Sequence, residues 1–258
     1  MKLTFEDIGN GKPIVLIHAF PLSGKMWKSQ AELLVKNGFR VILPELPGFG
    51  TNKELSRRFS IEEMASPISQ MLELLSIEKA IFGGLSMGGY VLFNLCRLAP
   101  EKLSALIFCD TTHTADTVEK RDSRFDLIAK INQQGSAALI ENMLPNLISD
   151  VTKENNPRLV EELEDIFSKV NPVSAANALQ SMAERKDNSD FIDKISVPTL
   201  LVFGEFDKVT NLENACKMNQ MITDSELVIV ENAGHYSNLE QPAQFNKALL
   251  NFCNRIEF

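Results

Sequence analysis

The sequence predicts an α/β fold: a mostly parallel, doubly wound sheet with helices on both faces and an inserted helical cap. The first observation is that short apolar runs alternate with helical patterns up to Cys109, as in parallel strands joined by helices. The second is that this alternation stops near Thr112 and returns near Val197. The third is the glycine-rich turn from Gly83 to Gly89, which joins an apolar run directly to a helical pattern.

The predicted elements follow in chain order from these patterns. Lys2 to Asp7 is predicted as an edge strand, and a Gly9–Gly11 turn follows it. Trp27 to Gly38 is predicted as a helix, because an Asn-Gly pair is typical of a helix end. Interior strands are predicted over Pro13–His18, Arg40–Leu43, Ala80–Phe82, Leu103–Cys109, Val197–Phe203 and Leu227–Val230, and further helices over residues 61–75 and 243–252.

Between about Thr112 and Lys186 the sequence shows only helical patterns, interrupted by one glycine and three prolines. Because the strand pattern resumes afterwards, we predict an insertion into one core rather than an independent second domain. The predicted organisation is a core of residues 1–111 and 187–258 with a helical cap of residues 112–186. The charged stretch from Asp116 to Arg124 is interpreted as solvated helix surface.

Length and composition limit the class of protein. The 258 residues, of which 44% are hydrophobic, suffice for one α/β domain with a full core. A net charge of −8 argues against nucleic acid or an anionic membrane as the main partner. We find no apolar run of membrane-spanning length and no signal-peptide core at the start of the sequence. The four scattered cysteines lack metal-ligand or redox spacing, so a cytoplasmic protein with buried free thiols is expected.

The turn around Ser86 indicates chemistry. A strand that turns at once into a helix leaves its corner residue strained, and flanking side chains would collide, so Gly84 and Gly88 are needed. Ser86 would project its hydroxyl at a helix N-terminus, where backbone N–H groups favour negative charge. This Gly-x-Ser-x-Gly pattern is typical of a nucleophile elbow. The alternative is a glycine-rich turn with an incidental serine. Residues in the other loops are needed to distinguish the two interpretations.

Residues that follow the strands supply the remaining candidates, because ligands of open parallel sheets bind outside the carboxyl ends of the strands. Asp207 follows the strand that ends at Phe203, and His235 follows the strand that ends at Val230. With Ser86 they give the order Ser, Asp, His that the elbow requires. A neutral histidine can take the serine proton, and a carboxylate can orient that histidine. We therefore predict a catalytic triad of Ser86, Asp207 and His235.

Other residues compete for the roles of base and acid. His18 is expected to brace the loop after the first interior strand, and His113, at the start of the predicted cap, could touch substrate. Asp110 is a rival acid because it too follows a strand, whereas Glu205 lies nearer its strand and is weaker. Sequence order and loop position favour Asp207 over Asp110.

An oxyanion hole requires two backbone N–H groups. One is expected from Met87, the residue after the nucleophile. The other is expected from the loop after the first interior strand, where Phe20 is the candidate. The alternative for this loop is an ordinary turn at a strand end.

Taken together, the motifs resemble one family. The sequence is similar to α/β-hydrolase fold proteins of the capped esterase and lactonase branch, in particular 3-oxoadipate enol-lactonase-like hydrolases. Ala19 departs from the usual glycine of that family, and Glu45 stands where aspartate is common. The matching segments are His18–Leu22 with Trp27, Leu46–Gly50, Gly84–Gly89, Asp110–Thr112, Ala115–Thr117, Gly204–Asp207 and Ala233–Pro242.

The resemblance and the predicted triad imply a serine hydrolase that cleaves a small carboxylic ester or lactone through an acyl-enzyme on Ser86. No metal or cofactor is expected, the expected partner is the small-molecule substrate, and the oligomeric state is left open. Two alternatives remain: perhydrolase-type acyl transfer to peroxide, and a weakly catalytic small-ligand receptor on the same fold. An apolar pocket is predicted under the cap, lined by Phe20, Trp27, His113, Phe125, Leu127 and Met143.

Overall fold

The computed structural model describes residues 3–52 and 57–258. Within these residues one sheet is formed by β1 (Phe5–Ile8), β2 (Lys12–Ile17), β3 (Phe39–Pro44), β4 (Ala80–Leu85), β5 (Leu103–Cys109), β6 (Thr199–Gly204) and β7 (Ser225–Val230). The spatial order is β1-β3-β2-β4-β5-β6-β7. β1 pairs antiparallel with β3, and the other neighbours are parallel. The predicted α/β class with a mostly parallel sheet is confirmed.

The central strands are buried on both faces, as expected for parallel strands covered by helices. All residues of β4 and of β6 are buried. The predicted interior strands match the observed ones within a few residues. The edge strand, predicted over Lys2 to Asp7, is observed over Phe5–Ile8, and Lys2 itself lies outside the described residues.

The helices of the described chain cover both faces of the sheet and fill the segment between β5 and β6. The predicted helix at Trp27 begins one residue later, because its first turn is a 3₁₀-helix over Gly24–Trp27. Two further 3₁₀-helices span Pro100–Lys102 and Ile192–Lys194. The α-helices are α1 (Lys28–Lys36), α2 (Ala65–Leu74), α3 (Met87–Leu98), α4 (Val118–Gln134), α5 (Ala137–Asn142), α6 (Leu144–Leu147), α7 (Asp150–Asn155), α8 (Pro157–Ser168), α9 (Pro172–Ala183), α10 (Leu212–Met221), α11 (Ser237–Glu240) and α12 (Pro242–Cys253).

Helices α4 to α9 leave the sheet after β5 and return before β6, although these two strands pair directly. Two of the prolines that interrupt the helical pattern begin helices. Pro157 and Pro172 occupy the first turn of α8 and α9, each preceded by an asparagine whose side chain caps the helix. This helical segment corresponds to the predicted cap, whose boundaries of 112–186 stay a prediction.

A continuous hydrophobic core lies between the sheet and its helices. Phe93 of α3 and Phe108 of β5 stack in this core with ring centroids 4.3 Å apart. Cys96, Cys109 and Cys253 are buried free thiols, whereas Cys216 is exposed. None of the helices in residues 3–52 and 57–258 combines the length and apolar character needed to cross a membrane.

Candidate active site

Ser86 forms the corner between β4 and α3. Its φ of 53° and ψ of −112° lie in a region that residues with a side chain rarely adopt. A Cβ atom on Gly84 would lie 2.5 Å from the carbonyl oxygen of Gly88, and one on Gly88 would lie 2.3 Å from that of Ile17. The close backbone approach therefore requires glycine at both positions, as the sequence motif predicts.

Hydrogen bonds from β5 and its following loop hold this strained corner. The backbone N–H of Ser86 donates to the carbonyl of Cys109 at 2.9 Å. The hydroxyl of Thr111 donates to the carbonyl of Ser86, also at 2.9 Å. The position of the Ser86 side chain is therefore fixed from the neighbouring strand as well as from its own helix.

The structure brings Ser86, His235 and Asp207 into one hydrogen-bonded chain. Ser86 Oγ lies 2.8 Å from His235 Nε2, and His235 Nδ1 lies 2.9 Å from Asp207 Oδ2. An ionised carboxylate only accepts hydrogen bonds, so Nδ1 carries the proton and Nε2 accepts the serine hydrogen. This tautomer is the one that a general base requires.

The Asp207 carboxylate accepts four hydrogen bonds. Oδ1 accepts from the N–H groups of Val209 and Thr210 at 2.7 and 3.0 Å, and Oδ2 accepts from the Thr210 hydroxyl at 2.5 Å and from His235. Burial raises the pKa of Asp207, but attraction to His235 and the hydrogen bonds from His235 and Thr210 outweigh burial and lower it to about 2. Thr210 was not predicted, although an aspartate side chain often accepts from the N–H two residues later, as Asp207 does here from Val209.

Asp110, the rival acid, has other partners. Its Oδ1 accepts the Gly204 N–H at 2.7 Å, and its Oδ2 pairs closely with the Ser237 hydroxyl. Burial and the negative charge of Asp207 raise the pKa of Asp110 well above its usual range. The Asp110 carboxyl group accepts both of these hydrogen bonds, and neither comes from His235. Of the two candidate acids, the structure places Asp207 next to His235.

His18 braces the loop between β2 and the 3₁₀-helix at Gly24. Its Nδ1 lies 2.9 Å from the Ala19 carbonyl, and its Nε2 accepts the Leu46 N–H at 2.9 Å. Burial lowers the pKa of His18 to about 4, so its ring is neutral at pH 7. The 3.8 Å approach of Nε2 to Glu45 is therefore not an ion pair at that pH. This geometry agrees with the bracing role expected for His18.

Neither the N–H of Phe20 nor that of Met87 donates a hydrogen bond to another group of the described residues, and Phe20 lines the same cavity as Ser86. Met87 begins α3, so its N–H finds no partner within the helix. Phe20 lies in the loop after β2, which neighbours β4 in the sheet. The Tyr236 hydroxyl donates to the Phe20 carbonyl at 2.9 Å and anchors that loop.

The two departures from the family pattern fit their surroundings. Ala19 is fully buried, and its N–H lies 3.2 Å from the sulfur of Met26. The Glu45 carboxylate accepts the Gly24 N–H at 3.2 Å. A Cβ on Gly50, whose φ is 55°, would lie 2.0 Å from the same carboxylate. The longer side chain of Glu45 is therefore accommodated because Gly50 leaves room for it.

A cavity of about 160 Å³ opens on Ser86 and His235. Of the residues predicted to line a pocket, Phe20 and Met143 lie in its wall. A second cavity of about 310 Å³ adjoins the first and is lined by Leu127 among others. The wall of the first cavity consists of Phe20, Ser86, Tyr90, Val209 and His235, together with Arg124, Asn142, Met143, Asn146, Leu147 and Met182 from the helical segment.

Three predicted pocket residues lie outside the walls of both cavities. Trp27 packs in the core against α12. His113 is buried, and its carbonyl accepts the Asn188 N–H at 2.9 Å, which joins the two ends of the helical segment. Phe125 is 38% exposed, because it follows Arg124 on α4 and the helical rotation turns it outward when Arg124 faces the cavity.

The prediction that the charged stretch from Asp116 to Arg124 is solvated helix surface holds for the exposed residues 117–119 and 121–123, but it is wrong for Asp116 and Arg124. The Asp116 side chain is fully buried and pairs with Arg124 Nε at 2.6 Å and with Arg185 Nη1 at 2.7 Å. The arginine side chains are only 12% and 3% exposed. The charge pattern did not reveal this cluster, because Arg185 comes from beyond the end of α9.

Comparisons with known proteins agree with this architecture. The chain matches the model of the alpha/beta hydrolase fold family over residues 12–242. It is 31% identical to a putative non-heme chloroperoxidase of Synechocystis sp., over 98% of this chain and 95% of the relative. It is 26% identical to 3-oxoadipate enol-lactonase 2 of Acinetobacter baylyi, over 96% and 92% of the two chains.

A thermophilic esterase from Thermogutta terrifontis, solved with malate bound, has the same fold with a TM-score of 0.94. It is 35% identical to this chain, with 99% of this chain and 94% of the esterase covered. Esterases and lactonases thus stand among the relatives, as the motifs predict, and the chain belongs to the α/β hydrolase fold family.

Proposed function

We propose that the protein is a serine hydrolase that cleaves a small carboxylic ester or lactone through an acyl-enzyme on Ser86. The observation that carries the proposal is the hydrogen-bonded chain from Ser86 through His235 to Asp207, with distances of 2.8 and 2.9 Å. Support also comes from relatives named as an esterase and an enol-lactonase.

In the proposed reaction, Ser86 Oγ attacks the carbonyl carbon while His235 Nε2 takes its proton. The N–H groups of Phe20 and Met87 donate to the oxyanion, and His235 then protonates the departing alcohol oxygen. Water then attacks the acyl carbon and gives a proton to His235. The bond between that carbon and Ser86 Oγ breaks, the acid is released, and His235 returns the proton to Ser86 Oγ. Asp207, whose pKa is about 2, stays ionised and stabilises the imidazolium.

The cavity supports a small substrate. Its volume of about 160 Å³ is below the roughly 300 Å³ at which pockets for drug-sized ligands begin. Phe20, Met143 and Leu147 give it apolar surface beside Ser86. A short acyl chain or a small lactone ring fits these dimensions.

The test of the proposal is the Ser86→Ala variant with p-nitrophenyl acetate as substrate. Turnover is expected to fall by about four to six decades, because the members of a triad act as a unit. A fluorophosphonate probe should label Ser86 alone in the wild-type protein, as read by peptide mass spectrometry. A folded Ala variant that keeps a tenth of the activity would rule out Ser86 as the nucleophile.

Acyl transfer to peroxide is a second candidate, favoured by the 31% identity to a putative non-heme chloroperoxidase. The same acyl-enzyme would be attacked by hydrogen peroxide instead of water, with peracid as product. Peracid and free acid are measured side by side at increasing peroxide concentration. Peracid as the main product at low millimolar peroxide would support this reaction over hydrolysis. If the wild-type protein turns over no faster than Ser86→Ala, the weakly catalytic ligand receptor is favoured instead.

A further inference from the structure

We infer that the substrate carries a carboxylate group, which the guanidinium of Arg124 binds in the wall of the cavity. This inference rests on the proposed ester or lactone hydrolysis and adds the charge of the substrate to it. The observations behind it are the composition of the buried ion cluster, the donors that Arg124 has left, and the charges in the cavity wall.

The ion cluster holds one positive charge in excess. The Asp116 carboxylate is shared between the guanidinium groups of Arg124 and Arg185, so two positive charges face one negative charge. The lowered pKa of Asp116, where the charges of the two arginines outweigh burial, is consistent with an ionised carboxylate. Because the three side chains are at most 12% exposed, solvent screens the excess charge only weakly. In a variant that lacks the Arg124 guanidinium, Asp116 would still be paired with Arg185.

Of the two arginines, Arg124 is the one with hydrogen-bond donors that are not used by other described residues. Arg185 donates to the carbonyls of Met182 and Thr114 at 2.7 and 2.8 Å, and it stacks on a tyrosine ring at 4.1 Å. Arg124 donates to the two oxygens of Asp116 through Nε and Nη2, at 2.6 and 3.4 Å, and its Nη1 makes only a long 3.6 Å contact to the Met182 sulfur among the described residues. Of the five N–H groups of the guanidinium, the two on Nη1 and one on Nη2 therefore remain, and this outer edge can bind a second carboxylate. Arg124 is also the arginine that lines the cavity.

The surroundings of Arg124 are positive. Lys120, one turn earlier on α4, donates to the Val209 carbonyl at 3.1 Å and lines the adjoining cavity. Burial raises the pKa of Tyr90, which lines the first cavity, but the positive charges of Arg185, Lys120 and Arg124 lower it overall. The tyrosine hydroxyl therefore lies in a positive potential, which would also favour an anionic group of a substrate.

Negative groups do not cancel this potential at the wall. Among the described residues, no carboxylate side chain lines the cavity that contains Ser86. The Asp207 carboxylate is directed to His235 and Thr210. Asp126 lines only the adjoining cavity, in which Lys120 and Lys130 also take part. An anionic substrate thus gains a charge-assisted hydrogen bond to Arg124, and the carboxylate nearest to that arginine, Asp116, is already shared with Arg185.

The test compares two esters of similar shape: monomethyl glutarate, which is anionic at pH 7.5, and methyl pentanoate, which is neutral. Hydrolysis is followed in a pH-stat. Wild-type kcat/KM is expected to be at least about tenfold higher for the anionic ester. Arg124→Gln should lower kcat/KM about tenfold to hundredfold for monomethyl glutarate and less than about threefold for methyl pentanoate.

Two further variants control for charge and for folding. Arg124→Lys keeps the charge but not the fork, so it should recover part of the preference for the anionic ester. Arg121→Gln removes an exposed charge from the same helix and should leave both rates unchanged. Equal rates for the two esters in the wild type, or an equal loss on both in Arg124→Gln, would overturn the inference.

A binding measurement separates this inference from the proposed function. Glutarate is titrated calorimetrically into Ser86→Ala, which needs no turnover. Binding that disappears in the Ser86→Ala, Arg124→Gln double variant would support the carboxylate site even if no ester is hydrolysed. Absent binding, or binding that survives the loss of Arg124, would overturn it whatever the activity of the wild type.

Discussion

Asp207 and Asp110 are both buried carboxyl groups at the carboxyl ends of neighbouring strands, yet their partners differ. Asp207 accepts hydrogen bonds from His235 and Thr210, which lower its pKa to about 2. Asp110 is paired with Ser237 and Gly204, and burial raises its pKa well above the usual range. At the scale of single residues, His235 and Thr210 outweigh burial in setting the pKa of Asp207, whereas burial outweighs the hydrogen bonds from Ser237 and Gly204 in setting the pKa of Asp110.

This difference predicts opposite results for the two asparagine variants. Asp207→Asn should lower kcat by about four decades, because its amide can hold His235 in the wrong tautomer. Asp110→Asn should stay within about tenfold of wild type, because Asp110 accepts from Gly204 and Ser237 rather than from His235, and an asparagine amide can accept from Gly204 and donate to the Ser237 hydroxyl. Turnover is measured after circular dichroism shows that both variants are folded. The reverse ranking would make Asp110 the acid of the triad.

The sequence predicted residues whose positions depend on local pattern and missed those whose positions depend on packing. Ser86, Asp207 and His235 each follow a strand, and strand ends meet at one edge of a parallel sheet. Arg124 and Tyr90 line the cavity because α4 and α3 turn particular faces towards it. Periodicity shows that a helix has two faces, but not what each face contacts. For this reason Phe125 was predicted for the pocket and its neighbour was not.

At the scale of elements, the junction of α6 and α7 (residues 147–149) is joined to the loop that carries His235. The His235 N–H donates to the Leu147 carbonyl at 3.0 Å, and the Ser149 hydroxyl donates to the Asn232 carbonyl at 2.8 Å. Glu240 accepts the Ser149 N–H at 2.9 Å. The helical segment therefore helps to position the proposed base as well as to line the cavity.

Loosening this junction should affect turnover as well as stability. Ser149→Ala removes the bond to Asn232 and the N-cap of α7, and it should cost about 1 kcal/mol of stability. Because the loop that carries His235 is then held less firmly, kcat should fall roughly threefold to tenfold, since small misplacements of catalytic groups slow reactions. Chemical denaturation and steady-state kinetics measure the two effects.

The matched control is Ser136→Ala. Its hydroxyl donates to the Ser168 carbonyl at 2.8 Å, within the helical segment and without a contact to the histidine loop. This variant should change stability only slightly and leave kcat as in the wild type. If Ser149→Ala also keeps the wild-type kcat, the junction serves stability alone.

At the scale of the whole molecule, His18 links the loops that follow β2 and β3, through the Ala19 carbonyl and the Leu46 N–H. Both ring nitrogens are used in the neutral form, and the ring is fully buried. A protonated ring would lose the bond from Leu46, because Nε2 could no longer accept. Burial of the ring disfavours its charged form, and the pKa of His18 therefore falls from 6.5 to about 4.

This difference makes global stability depend on pH. Above about pH 6.5 the His18 ring is neutral in both the folded and the unfolded state. Between about pH 6.5 and pH 4 it is protonated in the unfolded chain but stays neutral in the folded protein. The contribution of neutral His18 to the free energy of unfolding is thus fully present above pH 6.5 and is lost as the pH falls towards 4. The interval corresponds to about 3 kcal/mol of unfolding free energy for this fully buried group.

His18→Gln isolates this contribution, because an amide oxygen can accept from Leu46 but takes up no proton in this range. The variant should be less stable than wild type at pH 7. The difference between their free energies of unfolding should decrease by up to about 3 kcal/mol as the pH falls to 4.5. Urea unfolding at pH 7, 6, 5 and 4.5 gives the two curves, and contributions of other titrating groups cancel in their difference. Parallel curves would show that His18 titrates alike in the folded and unfolded states, and its bracing role would then have to rest on neutral packing.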